Sequence, residues 1–323
     1  MSALPSIALV TPALASANNG NWQTAHRWSQ MLGAHYQVNL QTQWQDGDED
    51  LLIALHARRS AASIAAWRTR HPHRPIVLVL TGTDLYRDIA EDPHAQQSLH
   101  LANCLIVLNE LGAAALPPAL RDKARVCLQS SPAQPATRPK TQRHLRALMV
   151  GHLREEKDPQ TYFAAARLLA DRSDILLDHI GAALDPALGD AAHALAQQLP
   201  HYRWLGALSH ARTRARIASA HVLVHPSRME GGAHVVIEAI VSGTPVVASA
   251  IDGNLGLLGA DYAGVFTPGD AQGLARLLRQ LRDEPAMLRS LQQQCALRAP
   301  LFEPARERTT LLHTLAELLE TSP

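Results

Sequence analysis

Along the chain, short apolar runs alternate with stretches whose apolar positions recur at helical spacing. The first half holds the runs "SIALVTP", "YQVNLQT", "LLIALH", "PIVLVLTG", "CLIVLN" and "ARVCLQS", with helical patterns such as "WQTAHRWSQML" and "SAASIAAWRTR" between several of them. Continuous apolar strands separated by helices predict a parallel sheet covered on both faces. The pattern stops at Ser130–Gln142, "SSPAQPATRPKTQ", which carries three prolines and no period and reads as a linker. It restarts with "ALMVGH", "DILLDHIG", "YRWLG", "HVLVHPS", "TPVVAS" and "AGVFT", and "PARERTTLLHTLAELLE" supplies a last amphipathic helix.

Two α/β domains of Rossmann-like type are therefore expected. The first spans residues 1–135, a linker follows at 136–145, the second domain runs over 146–300, and a C-terminal helix at 301–323 is expected to cross back onto the first domain. A chain of 323 residues is long enough for two ordinary cores. Ligands of open α/β sheets collect at the carboxyl ends of the strands, so the cleft between two such domains is the expected place for a site.

Composition narrows the chemistry. With 46% hydrophobic and 18% charged residues the chain is globular, not disordered. Its 30 basic and 29 acidic residues leave a net charge of +1, which gives no global attraction to nucleic acid or to an anionic membrane. Any anion must be met by local groups. Cys104, Cys127 and Cys295 are few, odd in number and widely spaced, which suggests a reducing cytoplasm with neither a disulfide framework nor a cysteine zinc site. The opening "MSALPSIALVTPALASA" has the apolar stretch and Ala-x-Ala ending of a signal peptide, but it lacks a basic start and is broken by Pro5 and Pro12, so it reads as a first strand. No apolar run reaches the ~20 residues needed to span a bilayer.

The most informative stretch is "HPSRMEGGAHVVIEAIVSGTPVVAS", His225–Ser249. A buried strand ends at Pro226, and "AHVVIEAIVSG" has helical spacing with Gly243 placed as its C-terminal cap. Glu230, Gly231 and Gly232 then form the strand-to-helix turn. Two glycines there let the backbone approach a ligand closely, and the amides opening the helix from Ala233 suit a diphosphate. Glu230 in the turn would accept hydroxyls of one sugar. Glu238, about five residues into the helix and roughly 7 Å further along its axis, would reach a second set such as those of a ribose. The competing reading is plain: Glu230 caps the helix and Glu238 pairs with a nearby base.

Taken whole, with Ser227 ahead of the glutamates and "SGTPVVAS" behind them, the segment resembles the donor-binding signature of two-domain GT-B glycosyltransferases of the family-4-like group. "VGHLREEKDPQTYFAAARLL", from Val150, resembles that group's first strand, loop and helix of the nucleotide domain. There an arginine after the glycine and a lysine five residues later hold the donor diphosphate. Lys157 matches the lysine, whereas His152 stands in the arginine's place and Arg154 is the expected replacement. The backbone from Gly206 to Leu208 would meet the nucleotide base. Within this group "NNGN" with "AHRW", "ALHARRS" and "TGTDLYRDI" resembles the selenosugar synthases of selenoneine biosynthesis.

That resemblance implies transfer of a sugar from a UDP-sugar, usually UDP-N-acetylglucosamine, to selenophosphate, with loss of UDP and phosphate. Arg154, Lys157 and Glu230 would be the catalytic residues, and no metal would be required. The residues themselves permit a small anionic acceptor in the first domain. Asn19, Gly20 and Asn21 form an amide-rich loop opening a helix. Arg58 and Arg59 follow a strand, and Thr81, Gly82 and Thr83 lie at the end of another. His56 and Asp84 are candidates should a general base be needed. Surface solubility is the plain alternative for the arginines. Two other functions stay open: a family-4-like transferase with a different small acceptor, and a sugar-nucleotide-binding protein or UDP-sugar epimerase on the same fold.

Other signals lead elsewhere. "DED" at 48–50 precedes its strand instead of following one and reads as a solvated acidic turn. None of the 17 histidines sits in a ligand-spaced helical pair with a glutamate, and His221 and His225 flank a buried strand segment. There is no Gly-x-Gly-x-x-Gly after the first strand and no phosphate loop, which argues against a dehydrogenase or a nucleotide hydrolase.

Overall fold

The structure, a computed structural model, describes residues 4–13 and 20–321. The chain forms two compact units. One comprises the described residues up to Ser130 together with Glu230–Gly232 and the described residues from Pro304 on, and the other comprises Ser131–Met229 and Ala233–Glu303.

The first unit is built on six parallel strands, β1 (Ser6–Val10), β2 (Gln37–Gln41), β3 (Leu51–Leu55), β4 (Ile76–Leu80), β5 (Cys104–Val107) and β6 (Ala124–Val126), in the order β2-β1-β3-β4-β5-β6. Alternate residues of each central strand enter opposite cores, as the pleat requires. Ile7, Leu9, Ile53 and Val79 pack with Trp28 and Leu32 of helix Gly20–Leu32 and with Leu311 and Leu315 of helix Pro304–Glu320. Ala8, Val10, Ala54 and Leu78 face Ile64 and Trp67 of helix Ala61–Arg70 and Leu99 of helix Pro93–Leu101. Burial on both faces is why these strands read as unbroken apolar runs. The last helix joins this unit, as expected.

One carboxylate fastens that helix. Glu307, fully buried, accepts from Arg27 Nε at 3.1 Å and Nη2 at 2.9 Å, from Trp28 Nε1 at 2.7 Å, and from Ser130 N at 2.8 Å. Two corrections to the sequence reading arise in this unit. "ARVCLQS" is a strand only over Ala124–Val126, because β6 is an edge strand and the chain beyond Cys127 is taken up by other partners, Ser130 by Glu307. "DED" is not a solvated turn. Glu49 is buried and accepts from Asn39 Nδ2 and Trp44 Nε1, Asp50 accepts from Ser6 N and Oγ, and only Asp48 stays outside, paired with Arg74. The turn enters β3 beside the start of β1, where backbone and side-chain donors need acceptors.

The second unit holds β7 (Leu145–Val150), β8 (Ile175–Ile180), β9 (Tyr202–Trp204), β10 (Val222–His225), β11 (Val246–Ser249) and β12 (Val265–Phe266), all parallel, in the order β12-β11-β10-β7-β8-β9. Counted from β7, this is the doubly wound nucleotide-fold order 3-2-1-4-5-6. The order reverses between β7 and β10 here, and between β1 and β3 in the first unit. These are the crevices at which such sheets bind ligands. Among the described residues no helix is long and apolar enough to cross a membrane.

Replacing Glu307 with alanine removes the acceptor shared by Arg27, Trp28 Nε1 and Ser130 N. The expected cost is about 3 kcal/mol or more in urea unfolding. A loss below about 1 kcal/mol would mean that the apolar face of the helix holds it without help.

Candidate functional site

In the second unit the chain leaves β7 through Gly151, His152 and Leu153 and reaches helix Pro159–Leu168 by way of Arg154 and Lys157. His152 Nδ1 accepts from the backbone of Ala182 at 3.1 Å, which puts the proton of the neutral ring on Nε2. Burial holds its pKa below the usual histidine value, helped by Arg154 and Lys157. His152 is thus a neutral ring with one fixed acceptor and one N–H to offer. Arg154 is largely exposed and only loosely paired, its Nε 3.9 Å from Glu156. The stem of Lys157 lies along Gly151.

Asp158 closes this loop. It is left-handed, with φ 46°, and caps the helix by accepting from Thr161 N and from Thr161 Oγ1 at 2.7 Å. Its other partner is Arg228 Nε at 3.2 Å, and Arg228 N donates to Glu156 O at 2.9 Å. The loop after β10 is thereby tied to the loop after β7, its neighbour in the sheet.

Ser227 is buried, its hydroxyl against His225 Nε2 at 3.2 Å and its carbonyl accepting from Ser249 Oγ. Helix His234–Val241 has Ala233 as its N-cap residue, and Gly243 sits left-handed at its end with φ 71°. Gly206 is also left-handed, φ 65°, its carbonyl accepting from Gly181 N, and Leu208 lies half-buried just before helix His210–Ser219.

Glu238, on helix His234–Val241, is closely surrounded. Only 5% of its side chain is exposed, yet His210 Nε2 lies 2.6 Å from Oε1, His234 Nδ1 3.4 Å and Arg214 Nε 4.0 Å. Burial alone would raise its pKa, but the hydrogen bonds from His210 and His234 prevail and bring it down to about 2. The same hydrogen bond raises His210 above its usual value. Pairing with a nearby base is therefore real, and it involves residues that the sequence reading did not single out. His234 was legible, because four residues on one helix put it on the face of Glu238. His210 and Arg214, more than twenty positions upstream, carried no local signal.

In the first unit the glycine pair has a neighbour that the sequence did not announce. A Cβ on Gly231 would stand 2.6 Å from the backbone of Thr81 and Gly82, and one on Gly232 2.7 Å from Leu108 Cβ. Asn109 Nδ2 donates to Gly231 O at 2.7 Å. Close backbone packing inside the protein thus accounts for glycine at both positions, and it brings Gly231 against Thr81 and Gly82. Glu230 beside them is buried.

Of the remaining expected residues, Asn19 lies outside the described residues, while Gly20 and Asn21 open helix Gly20–Leu32 after β1. His56, Arg58 and Arg59 follow β3, and Thr81, Gly82, Thr83 and Asp84 follow β4, so the three loops leave adjacent strands on one edge. His56 is buried with φ 74°, a strained backbone for a non-glycine, and its Nε2 lies 3.2 Å from Thr83 Oγ1. Burial lowers its pKa against the pull of Asp84 and Asp88. Asp84 is completely buried and accepts from Ala57 N at 2.9 Å and from Thr81 N and Oγ1 at 2.7 Å each, so it joins the β3 and β4 loops together. Arg58 is exposed and paired with Asp88 at 2.9 Å, and Arg59 is exposed. Among the described residues no three His, Cys, Asp or Glu side chains are grouped to hold a metal ion.

The model of the family described as "Glycosyl transferases group 1" matches residues 131–298, more than half of the chain. The MMP alpha-(1->4)-mannosyltransferase of Mycolicibacterium hassiacum is 40% identical over 86 residues, 26% of this chain and 21% of that protein. The D-inositol 3-phosphate glycosyltransferase 1 of Catenulispora acidiphila is 40% identical over 74 residues, 23% of this chain and 18% of that protein. The matched segments thus span about a fifth of these relatives. Among solved structures, sucrose-phosphate synthase from Thermosynechococcus elongatus superposes with a TM-score of 0.79 at 19% identity, covering 98% of this chain and all of that one. Anabaena HepE in complex with UDP and glucose gives 0.71 at 16% identity, covering 98% of this chain and all of that one. At these identities the likeness shows the fold, GT-B with its two Rossmann-like domains.

The His210–Glu238 pair sets a pH window for stability. Glu238 lies at about 2 against the ordinary 4.5, so its share is fully present above about 4.5 and lost as pH falls through about 2. His210 is raised above 6.5, so its share is fully present below about 6.5 and lost as pH rises through the higher folded value. Urea unfolding of the wild type and His210→Gln across pH should show the largest gap between about 4.5 and about 6.5. A gap that does not vary with pH would remove the ion pair as its cause.

Proposed function

The chain belongs to the glycosyl transferases group 1, and from that membership we propose that it transfers a sugar from a UDP-sugar, UDP-N-acetylglucosamine first among them, to selenophosphate. What supports the donor side is that β7 and β10 are neighbours where the sheet order reverses, so the loop with His152, Arg154 and Lys157 and the loop leading to the helix of Glu238 leave adjacent strand ends. His152 Nε2–H, Arg154 and Lys157 are suited to the diphosphate, whose leaving oxygens gain charge as the anomeric bond breaks. The amides opening helix His234–Val241 add a positive dipole end. Glu238 is suited to the ribose hydroxyls and Glu230 to those of the transferred sugar. UDP in the likeness with HepE supports this choice of donor.

On the acceptor side the reading rests on the loops after β1, β3 and β4, with Gly20 and Asn21 at a helix start and exposed Arg58 and Arg59 nearby in the sheet order. Selenium of selenophosphate forms a bond to C1 of the sugar while the C1–O bond breaks, its electron pair leaving with UDP. Water then takes the phosphoryl group by breaking the P–Se bond, which gives a 1-seleno-sugar and phosphate. So nucleophilic a chalcogen anion needs little help from a base, consistent with His56 and Asp84 both being buried.

The deciding experiment measures UDP release from UDP-N-acetylglucosamine with and without selenophosphate, followed by mass spectrometry of the sugar. Selenophosphate-dependent release with a selenium-bearing sugar is the expected result. Release with other small acceptors only would leave a glycosyltransferase of different acceptor, and an altered sugar nucleotide in the acceptor-free control would point to an epimerase. In the same assay Lys157→Ala should lower kcat/KM by about 10²-fold or more. A loss within about threefold would remove Lys157 from the diphosphate.

A further inference from the structure

Three groups crowd Glu238, and they differ in how firmly each is held. Arg214 is almost fully buried and fixed through Nη1 to Ser131 Oγ at 2.6 Å and through Nη2 to the carbonyl of Pro132. His234 rides on the same helix as Glu238, four residues before it. His210 belongs to another helix, its side chain is 65% exposed, and its ring makes no other hydrogen bond among the described residues. It is the nearest of the three and the only one free to swing into solvent. Among the described residues, the titratable and charged groups recorded against Glu238 are these three, contributed by helices His210–Ser219 and His234–Val241.

We propose that His210 is a positioning residue of the donor site: it keeps Glu238 aimed until the ribose diol of a nucleoside diphosphate takes its place, and it gives up its proton when displaced. The inference rests on reading Glu238 as the ribose carboxylate. Two features make the exchange proton-linked. His210 is the first residue of its helix, where the positive dipole end disfavours a cation, and Arg214 adds a like charge. Its hydrogen bond to Glu238, first, and the charge attraction at that short distance raise its basicity against these and against burial, and both weaken once the ring swings away. An imidazolium that loses this partner to a neutral diol stays in a place that favours the neutral ring, so it sheds its proton to water. Glu238 keeps its charge throughout, because His234 and Arg214 remain beside it and the diol donates two hydrogen bonds.

The test is calorimetric titration of the full-length chain with UDP in buffers of different ionisation enthalpy, at several values between about pH 6 and about pH 8. The expected result is release of up to roughly one proton per UDP bound and an affinity that rises up to about tenfold per pH unit within that window. With 2′-deoxy-UDP the release should shrink markedly, since one hydroxyl of the diol is gone. In His210→Gln, proton release should fall by the share His210 supplies, leaving only what the terminal phosphate of UDP loses, and at the acid end UDP should bind several-fold more tightly than to the wild type. UDP binding without proton release in the wild type overturns the inference and leaves the donor site standing, as does equal release in His210→Gln. Failure to bind UDP at any of these pH values overturns both. Should the variant not fold, the comparison of UDP with 2′-deoxy-UDP on the wild type decides alone.

Discussion

Every strand of both sheets runs parallel to its neighbours, and most of what the molecule offers follows from that constraint. A parallel strand cannot be joined to the next by a tight turn, so each connection must cross a face of the sheet, usually as a helix. Both faces are thereby covered and the strands become apolar throughout. The crossing also collects the carboxyl ends of all strands of a sheet on one edge. Whatever chemistry the loops carry is assembled there without further design. The two sheets differ in where their order turns, β1 against β3 in one and β7 against β10 in the other. In each case the distinctive loops of the sequence emerge at that turning point.

The buried acids show how little of the molecule's charge is left unassigned. Glu307, Glu49, Asp84 and Asp158 are each nearly inaccessible, and each accepts from two or more fixed donors. A carboxylate taken out of water is tolerated only with such partners. Acids of this kind act as brackets between segments distant in the chain, Arg27 and Trp28 with Glu307, Ala57 with Asp84. A nearly neutral overall balance, 30 basic against 29 acidic residues, conceals how many of the acids are committed to fastening loops.

What could be read from sequence was whatever depends on neighbours in the chain. Unbroken apolar runs gave the central strands, Gly243 the end of its helix, and the coincidence of Lys157, Glu230 and Glu238 with spaced glycines gave the family and the fold. What could not be read depends on partners fixed by tertiary packing. Nothing near Glu307 signals Arg27, 280 positions away. "DED" was misread for the same reason, since the donors that pair with Glu49 and Asp50 come from β2, from Trp44 and from the start of β1. Gly231 and Gly232 were legible as glycines that something approaches closely, but the nearest approach is by Thr81, Gly82 and Leu108. The sequence could name the need for space and not its occupant.

The same distinction separates the two groups of candidate residues. Asp84 receives two of its three hydrogen bonds from backbone amides, which cannot leave without unfolding the loops after β3 and β4. Its carboxylate is committed to architecture, and any acceptor there must be met by the groups it holds in place: Thr83, His56 and the exposed arginines. Glu238 receives its hydrogen bonds from side chains, the closest of them exposed. Side-chain donors can rotate away at the cost of one contact, and a ligand hydroxyl restores that contact in the same place. A carboxylate held by exchangeable partners is kept ionised and aimed without being closed off. Burial alone would protonate it, and backbone donors alone would occupy it for good. On the proposed reading, burial combined with one exchangeable imidazole would let this acid be both a stable part of the fold and a binding group.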